Sequence, residues 1–357
     1  MRLQNSKYYN ISSILRAVII LTSLSLCSCK KFLDKKRNNT VVSPTTLKEL
    51  QGVLDDGEVM NTRITPAYGQ ASSDDYFMLQ ETFDARTTNQ QKTYLWQYFD
   101  YYYTGGNDWA LSYNPIYNAN YCLEMVEKIP VSANEALWKN VKGSALFYRA
   151  YYFLLLLWNH AKAYDEASAD SDLGIVLRLG SDFNVPSKRA NVRESYERVI
   201  KDAMESIPLL PDKPEHTFRP SKGAAYGLLA RAYLSMRKYD SALKYSDLCL
   251  QINSNLIDFN NDQDFLGETA SYPIKQFNKE TIFYTEMNLS VNNGIIAMAR
   301  AKVDTVLYNS YDASDIRKAA FFGATQGYHN FKGSYSQDGS YFSGIATDEM
   351  YLTRAEC

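Results

Sequence analysis

The sequence predicts a mainly α fold, in which a helical-repeat scaffold carries a loop-rich region. Three observations predict it. Apolar residues recur at helical spacing over about residues 109–160 and 190–254. Within the second stretch, two helices place alanines where paired helices must approach closely. Residues 61–108 and 256–345 lose that period. The first of these is rich in Thr, Asn, Gln, Asp and Tyr, and loops this long inside a compact domain are usually functional.

The chain opens on a polar segment that carries Lys7 and Arg16 and no acid, followed by an apolar core from Ala17 to Leu26. About ten apolar residues suit a secretory signal and are too few to span a bilayer. Signal cleavage needs a small residue just before the cut. Cutting before Cys27 would put Leu26 there, whereas cutting before Cys29 puts Ser28 there. The tetrad LCSC, Leu26 to Cys29, resembles a bacterial lipobox. Residues 1–28 therefore read as a lipoprotein signal peptide, Cys29 as the lipidated anchor, and residues 29–43 as a basic, polar tether. An ordinary secretory signal with incidental cysteines is the alternative.

From Pro44 the pattern turns helical. SPTTLKELQGVLDDG offers Ser43 or Thr45 as N-cap, Leu47, Leu50, Val53 and Leu54 as one face, and Gly57 as a stop. Trp109, Tyr113, Ile116, Asn120, Leu123 and Ile129 fall at near-helical spacing, with Pro115 kinking or starting a segment. In ANEALWKNVKGSALFYRAYYFLLLLWNH, Leu137, Val141, Ala145, Tyr148 and Tyr152 form a stripe. The second half is apolar all round, as in a helix packed inside others. NVRESYERVIKDAMESIPLLP pairs Asn191 with Glu194 as a capping box and ends at Pro208 and Pro211. In SKGAAYGLLARAYLSMRKYDSALKYSDLCLQINSN, Ser221 caps the first helix and the chain turns at Arg237 and Lys238. Tyr226, Leu229, Ala230, Tyr233 and Ala242 match key places of the tetratricopeptide pattern, while Ser246, Cys249 and Ser254 depart from it. One tetratricopeptide-like unit cannot bury its own face, so the helices at 136–160 and 191–207 are its expected neighbours. Beyond Asn255, TIFYTEM reads as a short strand, and YDASDIRKAAFF and DEMYLTRAEC read as helices. The last stops mid-turn at Cys357, as a truncated chain would.

Composition narrows the function classes. Without residues 1–28, 35 basic side chains face 40 acidic ones, a balance unlike that of a nucleic-acid binder. No other apolar run reaches the ~18 residues of a membrane span. Cys122, Cys249 and Cys357 are far apart and odd in number, which suits small buried thiols better than a disulfide framework. His160, His216 and His329 are isolated, so neither a metal cluster nor a cofactor is implied. No Gly-x-Ser-x-Gly, His-Glu-x-x-His or phosphate-binding Gly loop occurs. The 29 tyrosines exceed what a core needs, because each buried hydroxyl requires a partner. With many Asn and Gln, that excess suits a surface for polar, ring-shaped ligands.

The order of lipobox and FLD, DD with aromatics, IYNAN, KGSALFYRAYYFLLL, RESYERVIKDAMESIPLLP, RPSKGAAYGLLARAYL with YDSALKYSD, ETIF, YDASDIR and EMYLTRAE resembles the SusD/RagB family. The resemblance covers nearly the whole chain after the signal. It implies a lipid-anchored outer-membrane protein of Bacteroidetes, facing the cell exterior. Four tetratricopeptide-like units would support a loop-rich ligand-binding region. It further implies a lid over a SusC-like TonB-dependent transporter that captures oligosaccharides for import, with peptide capture of the RagB type as the alternative. A binding protein without cofactor, not an enzyme, is implied. In family members EMYLTRAE is followed by substantial chain, so the SusD-like domain, 44–357, reads as incomplete at its C-terminus. Lys30 and Lys31 stand where surface-displayed members often carry acids.

Glycan binding asks for flat aromatics to stack on sugar rings and for Asp, Asn, Gln and Arg to exchange hydrogen bonds with hydroxyls. Segment 74–109 supplies both. Asp74, Asp75, Arg86, Trp96, Tyr98 and Tyr101 are the candidate ligand-binding residues. YLWQYF alternates like a strand, which would turn some of its rings inward, and Trp109, Tyr113 and Asn120 lie on a helical stripe and read as scaffold. A glycoside hydrolase is the enzyme alternative. It would be defined by the separation of two carboxyl groups, which a sequence does not contain. A third class is a protein-interaction scaffold, since tetratricopeptide grooves bind peptides.

Overall fold

The chain turns helical where a cap and a carboxylate fall in register. Helix α1 (Leu47–Leu54) starts at Thr46, not at Ser43 or Thr45, because only Thr46 has a glutamate three residues on to close a capping box. Gly57 does not stop α1, which ends at Asp55; it opens α2 (Gly57–Met60). A Cβ at Gly57 would lie 2.8 Å from the Phe218 ring, so a glycine is needed for that ring to approach. The computed structural model describes residues 43–98, 107–289, 296–297, 299–333 and 335–357. The expected signal peptide, Cys29, all but the last residue of the tether, and Tyr101 lie outside the described residues.

Four short elements follow: α3 (Tyr68–Ala71), β1 (Tyr76–Phe77), α4 (Gln80–Asp84) and α5 (Thr88–Tyr94). The strand expected in YLWQYF does not form. A Thr87–Gln90 capping box starts α5, Tyr94 ends it, and Trp96 turns left-handed at φ 56°. Helix α6 (Asp108–Val126) runs unbroken through Pro115, which neither starts nor ends a segment. Pro115 is itself buried together with Ser112, Ile116 and Ala119, so packing outweighs the lost hydrogen bond.

Helix α7 (Glu135–His160) is buried along nearly all of its second half. The strands β2 (Leu173–Val176) and β3 (Arg189–Asn191) lead into α8 (Val192–Ser206), whose Asn191–Glu194 capping box forms as expected. Then come α9 (Lys222–Ser235), capped by Ser221, and α10 (Tyr239–Ile252), entered through Arg237 at φ 57°. The chain ends in β4 (Thr281–Phe283), β5 (Lys302–Val303), α11 (Thr305–Ser310), α12 (Ile316–Phe321), β6 (Phe322–Thr325), β7 (Tyr328–Phe331), β8 (Ile345–Ala346) and α13 (Thr347–Glu356).

Consecutive helices stack: α6 on α7, α7 on α8, α8 on α9, α9 on α10, with α13 closing on α10. The fold is mainly helical, and the strands form two-stranded antiparallel pairs, β1–β5, β2–β3, β4–β8 and β6–β7. No described helix is long and apolar enough to cross a membrane. Ala230 and Ala242 are fully buried. At Gly227 a Cβ would come within 2.6 Å of Ile345, which brings β8 directly onto α9.

Part of the tyrosine excess lies in this core. Tyr148, Tyr151 and Tyr152 of α7 are buried, and their hydroxyls reach out of the helix. Tyr148 donates to Phe218 O at 2.7 Å, Tyr151 to Ser343 O at 3.0 Å and Tyr152 to Met60 O at 2.7 Å. The scaffold thus fastens the irregular chain around it by side chain-to-backbone bonds. A buried ion pair ties three helices together. Arg149 meets Asp202 at 2.7 and 2.8 Å and donates to Asn120 Oδ1 at 2.9 Å, while Arg198 reaches Asp202 at 2.9 Å. Cys122 and Cys249 are buried free thiols, as expected, and burial pushes both up to about 12.

Candidate functional site

The segment carrying most of the candidate residues is anchored to the scaffold at one buried carboxylate. Asp108, the first residue of α6, accepts the backbone N–H groups of Ala67 and Tyr68 at 2.7 and 2.9 Å and the Asn288 amide at 3.1 Å. A carboxylate at a helix N-terminus is further stabilised by the helix dipole. Chain leaving this anchor forms α3 and then wraps Asp75. The Gln70 amide donates to both Asp75 carboxylate oxygens, at 3.1 and 2.9 Å, and the Ser73 hydroxyl bonds the same group. Asp75 is exposed, yet its direction is set by these neighbours.

Strand β1 then joins chain from far along the sequence. Tyr76 pairs with Val303 and Phe77 with Lys302, and Asp304 N–H donates to Asp75 O at 2.9 Å. Helix α11 and the β6–β7 hairpin close around this ladder. Phe77 meets Tyr328 edge-on at 5.2 Å, Tyr308 stacks on His329 at 3.6 Å, and Tyr311 meets Phe322 at 5.3 Å. Gln326 and Gly327, at φ 53° and 79°, supply the left-handed pair that a two-residue hairpin turn needs. Between the two halves lies a cleft of about 340 Å³, with Gln70, Asp75 and Tyr76 on one side and Tyr311, Phe322 and Tyr341 on the other. Burial raises the Tyr76 and Tyr341 hydroxyls, which stay neutral donors. Burial, then the charge of Lys318, lowers His329, which leaves its ring neutral against Tyr308.

Trp96 stands beside the Asp75 end. Its left-handed backbone costs a large side chain about 1–3 kcal/mol. The residue is nonetheless 77% exposed, and the indole N–H donates to Ser72 O at 2.7 Å. A ring held at that cost with its face in water is positioned for contact with something outside the core.

The structure brings two candidates together: Trp96 bonds Ser72, and neighbouring Ser73 bonds Asp75, which lines the cleft. Of the described candidates Asp75 alone lines the cleft; Trp96, Asp74 and Tyr98 are exposed outside its lining. Arg86 folds back to donate to Thr82 O at 3.0 Å. Burial, then the charge of Arg86, lowers Arg300 nearby. Tyr113 and Asn120 donate to the carbonyls of Val176 and Arg178 at 2.7 and 2.8 Å, which is scaffold work. Sequence reasoning missed the far wall, Tyr311, Phe322, Phe331 and Tyr341. One signal was present: FFGATQGYHNF places a Gln-Gly turn between two β-prone runs.

Aromatic walls and an oriented carboxylate together can stack a ring and accept hydrogen bonds from its hydroxyls. Comparison with known proteins bears on this arrangement. A family model described as "Starch-binding associating with outer membrane" matches residues 31–234. Among solved structures, a putative sugar binding protein from Bacteroides vulgatus superposes with a TM-score of 0.70 at 19% identity, covering 88% of this chain and 74% of that one. A SusD superfamily protein from Bacteroides thetaiotaomicron gives 0.68 at 18%, covering 87% and 75%. A laminarin binding SusD-like protein gives 0.57 at 17%, covering 86% and 78%. At these identities the likeness is one of fold. Among curated proteins, none matches the chain.

Proposed function

The chain belongs to the SusD-like family, whose members are binding proteins rather than enzymes, and from that premise we propose that it is an outer-membrane lipoprotein that captures oligosaccharides and passes them to a SusC-like TonB-dependent transporter. The observation that carries the reading is Trp96: a strained, exposed indole bonded to Ser72, the residue before the Ser73 that orients the cleft carboxylate Asp75. Stacking by the ring and hydroxyl recognition by Asp75 are what a sugar demands. The similar structures described as sugar binding and laminarin binding support a carbohydrate cargo, and the family description supports association with the outer membrane.

Asp75 and Trp96 are the proposed primary contacts, with Asp74, Arg86, Tyr98 and Tyr101 as further contacts along the same segment. Residues 1–28 are the proposed signal, Cys29 the lipid anchor, 29–43 the tether and 44–357 the SusD-like domain. The tetrad LCSC supports the anchor, and cell fractionation tests it: Cys29→Ser should move the protein from the membrane to the soluble fraction. Affinity electrophoresis against a panel of glucans and other polysaccharides tests the cargo. Retardation by one glycan class supports the reading. Free migration through every gel, with calorimetric binding of peptides instead, would replace it with peptide capture.

A further inference from the structure

We propose that the chain holds a second saccharide subsite, sized for a single neutral sugar ring, between α6 and the loop 177–188. A cavity of about 360 Å³ lies there and shares no lining residue with the cleft described above. That volume sits at the small end of ligand pockets, roughly 300–1,000 Å³. Trp109, Tyr113 and Tyr117 follow one another at four-residue intervals along α6, so three rings lie in a row on one face. Phe183 faces them from the loop, 79% exposed, and Tyr117 is 47% exposed.

The loop is too well tied for that exposure to be accidental. Arg178 staples the loop to itself, donating to Val185 O at 2.6 Å and to Ser187 Oγ at 2.8 Å. Asn120 donates to Arg178 O at 2.8 Å and Gly180 O at 3.2 Å, and Glu124 accepts the Ser181 N–H at 2.7 Å. Asn120 is itself gripped by Arg149, which is locked to Asp202 in the core. Phe183 is therefore carried on a preformed loop, exposed to water. Preorganisation of this kind removes the ordering cost of binding.

The chemistry of the lining selects the ligand class. Its two charged groups are already engaged within the loop: Arg178 as above, and Asp182 by the Asn184 N–H and amide, both at 2.9 Å. What remains for a guest is aromatic faces, with two half-used hydroxyls at the rim: Ser187 Oγ accepts from Arg178 and can still donate, and Ser181 Oγ donates to Glu124 at 2.5 Å and can still accept. Flat rings and hydroxyls, on a lining whose one positive and one negative side chain balance and are both hydrogen-bonded within the loop, fit an uncharged, hydroxylated ring. The choice of a sugar among such rings rests on the function proposed above, whereas the pocket itself does not.

The four tryptophans make both sites readable in one experiment. The full chain, labelled with 5-fluorotryptophan, is titrated by fluorine NMR with methyl hexosides and the corresponding oligosaccharides. Trp96 reports the cleft and Trp109 the second pocket. Trp138, whose indole N–H bonds Val126 O and Ile129 O inside the scaffold, is the folding reference. The proposal expects a saturable shift of the Trp109 resonance. Phe183→Ala and Tyr117→Ala should each weaken it about tenfold or more, with the Trp96 response and the Trp138 line unchanged. A Trp96 response with Trp109 silent would overturn the second site and leave the proposed function standing. A Trp109 shift with Trp96 silent would support the second site and overturn Trp96 as the primary contact. Equal Trp109 shifts in wild type and both variants would overturn the seating of the ring between Tyr117 and Phe183, and silence of both reporters would overturn both readings.

Discussion

The helical stack and the cleft differ in how they use the same residue types. In the stack, tyrosines are buried and their hydroxyls are consumed by fixed backbone carbonyls, as at Tyr148 and Tyr152. At the cleft, rings meet edge to face in small groups and Trp96 turns its face to solvent from a strained backbone. Charges divide likewise. Asp202 is fully buried between two arginines, whereas Asp75 is exposed and merely aimed. One region stores stability and the other keeps contacts unspent, so substitutions in the two should register in different measurements.

The largest effect is expected at Asp202. Replacing it by alanine leaves Arg149 buried without its carboxylate and should cost about 3–5 kcal/mol in urea unfolding. A loss below about 1 kcal/mol would erase the contrast between the regions. Next come the tethers. Tyr152→Phe should lose about 0.5–1.5 kcal/mol with its one hydroxyl bond to Met60 O, and Tyr151→Phe at least as much, since its hydroxyl bonds both Thr285 Oγ1 and Ser343 O.

Trp96→Gly sharpens the comparison from the other side. Glycine accepts φ 56° freely, which offsets the lost indole bond, so stability should stay within about 0.5 kcal/mol of wild type while ligand binding falls. A further contrast is a pH dependence at His160, in the scaffold. Burial first, and then the charge of Arg189, lowers its pKa to about 4. The unfolded chain takes up that proton near pH 6.5, so His160 favours the folded state above about pH 6.5, and its contribution is lost as pH falls to about 4. Thermal melts across that window should flatten in His160→Phe, which keeps a ring against Trp109. An unchanged profile would remove His160 from the acid response.

The scaffold was legible because its signals are local. The Asn191–Glu194 box, the Ser221 cap and the apolar stripe of α7 each sit within a few turns of what they specify. The first cap was misplaced because three hydroxyl residues within four positions, Ser43, Thr45 and Thr46, offer similar chemistry, and Glu49 alone decides among them. The cleft was only half legible. Asp75 and Trp96 stood out by composition, but the facing wall comes from residues 302–341, and nothing local in either segment records that β1 pairs with β5. YLWQYF misled because alternation alone does not make a strand when a capping box upstream commits the backbone to helix.

The central claim is that the cleft beside Trp96 binds the cargo while the stack merely holds it. Isothermal titration calorimetry of the wild type, Trp96→Ala and Tyr311→Ala with a glycan retarding the wild type in gels tests it most directly. The account predicts that each variant loses about tenfold or more in affinity with an unchanged melting curve. Wild-type affinity in both variants would contradict it and move the site elsewhere on the protein.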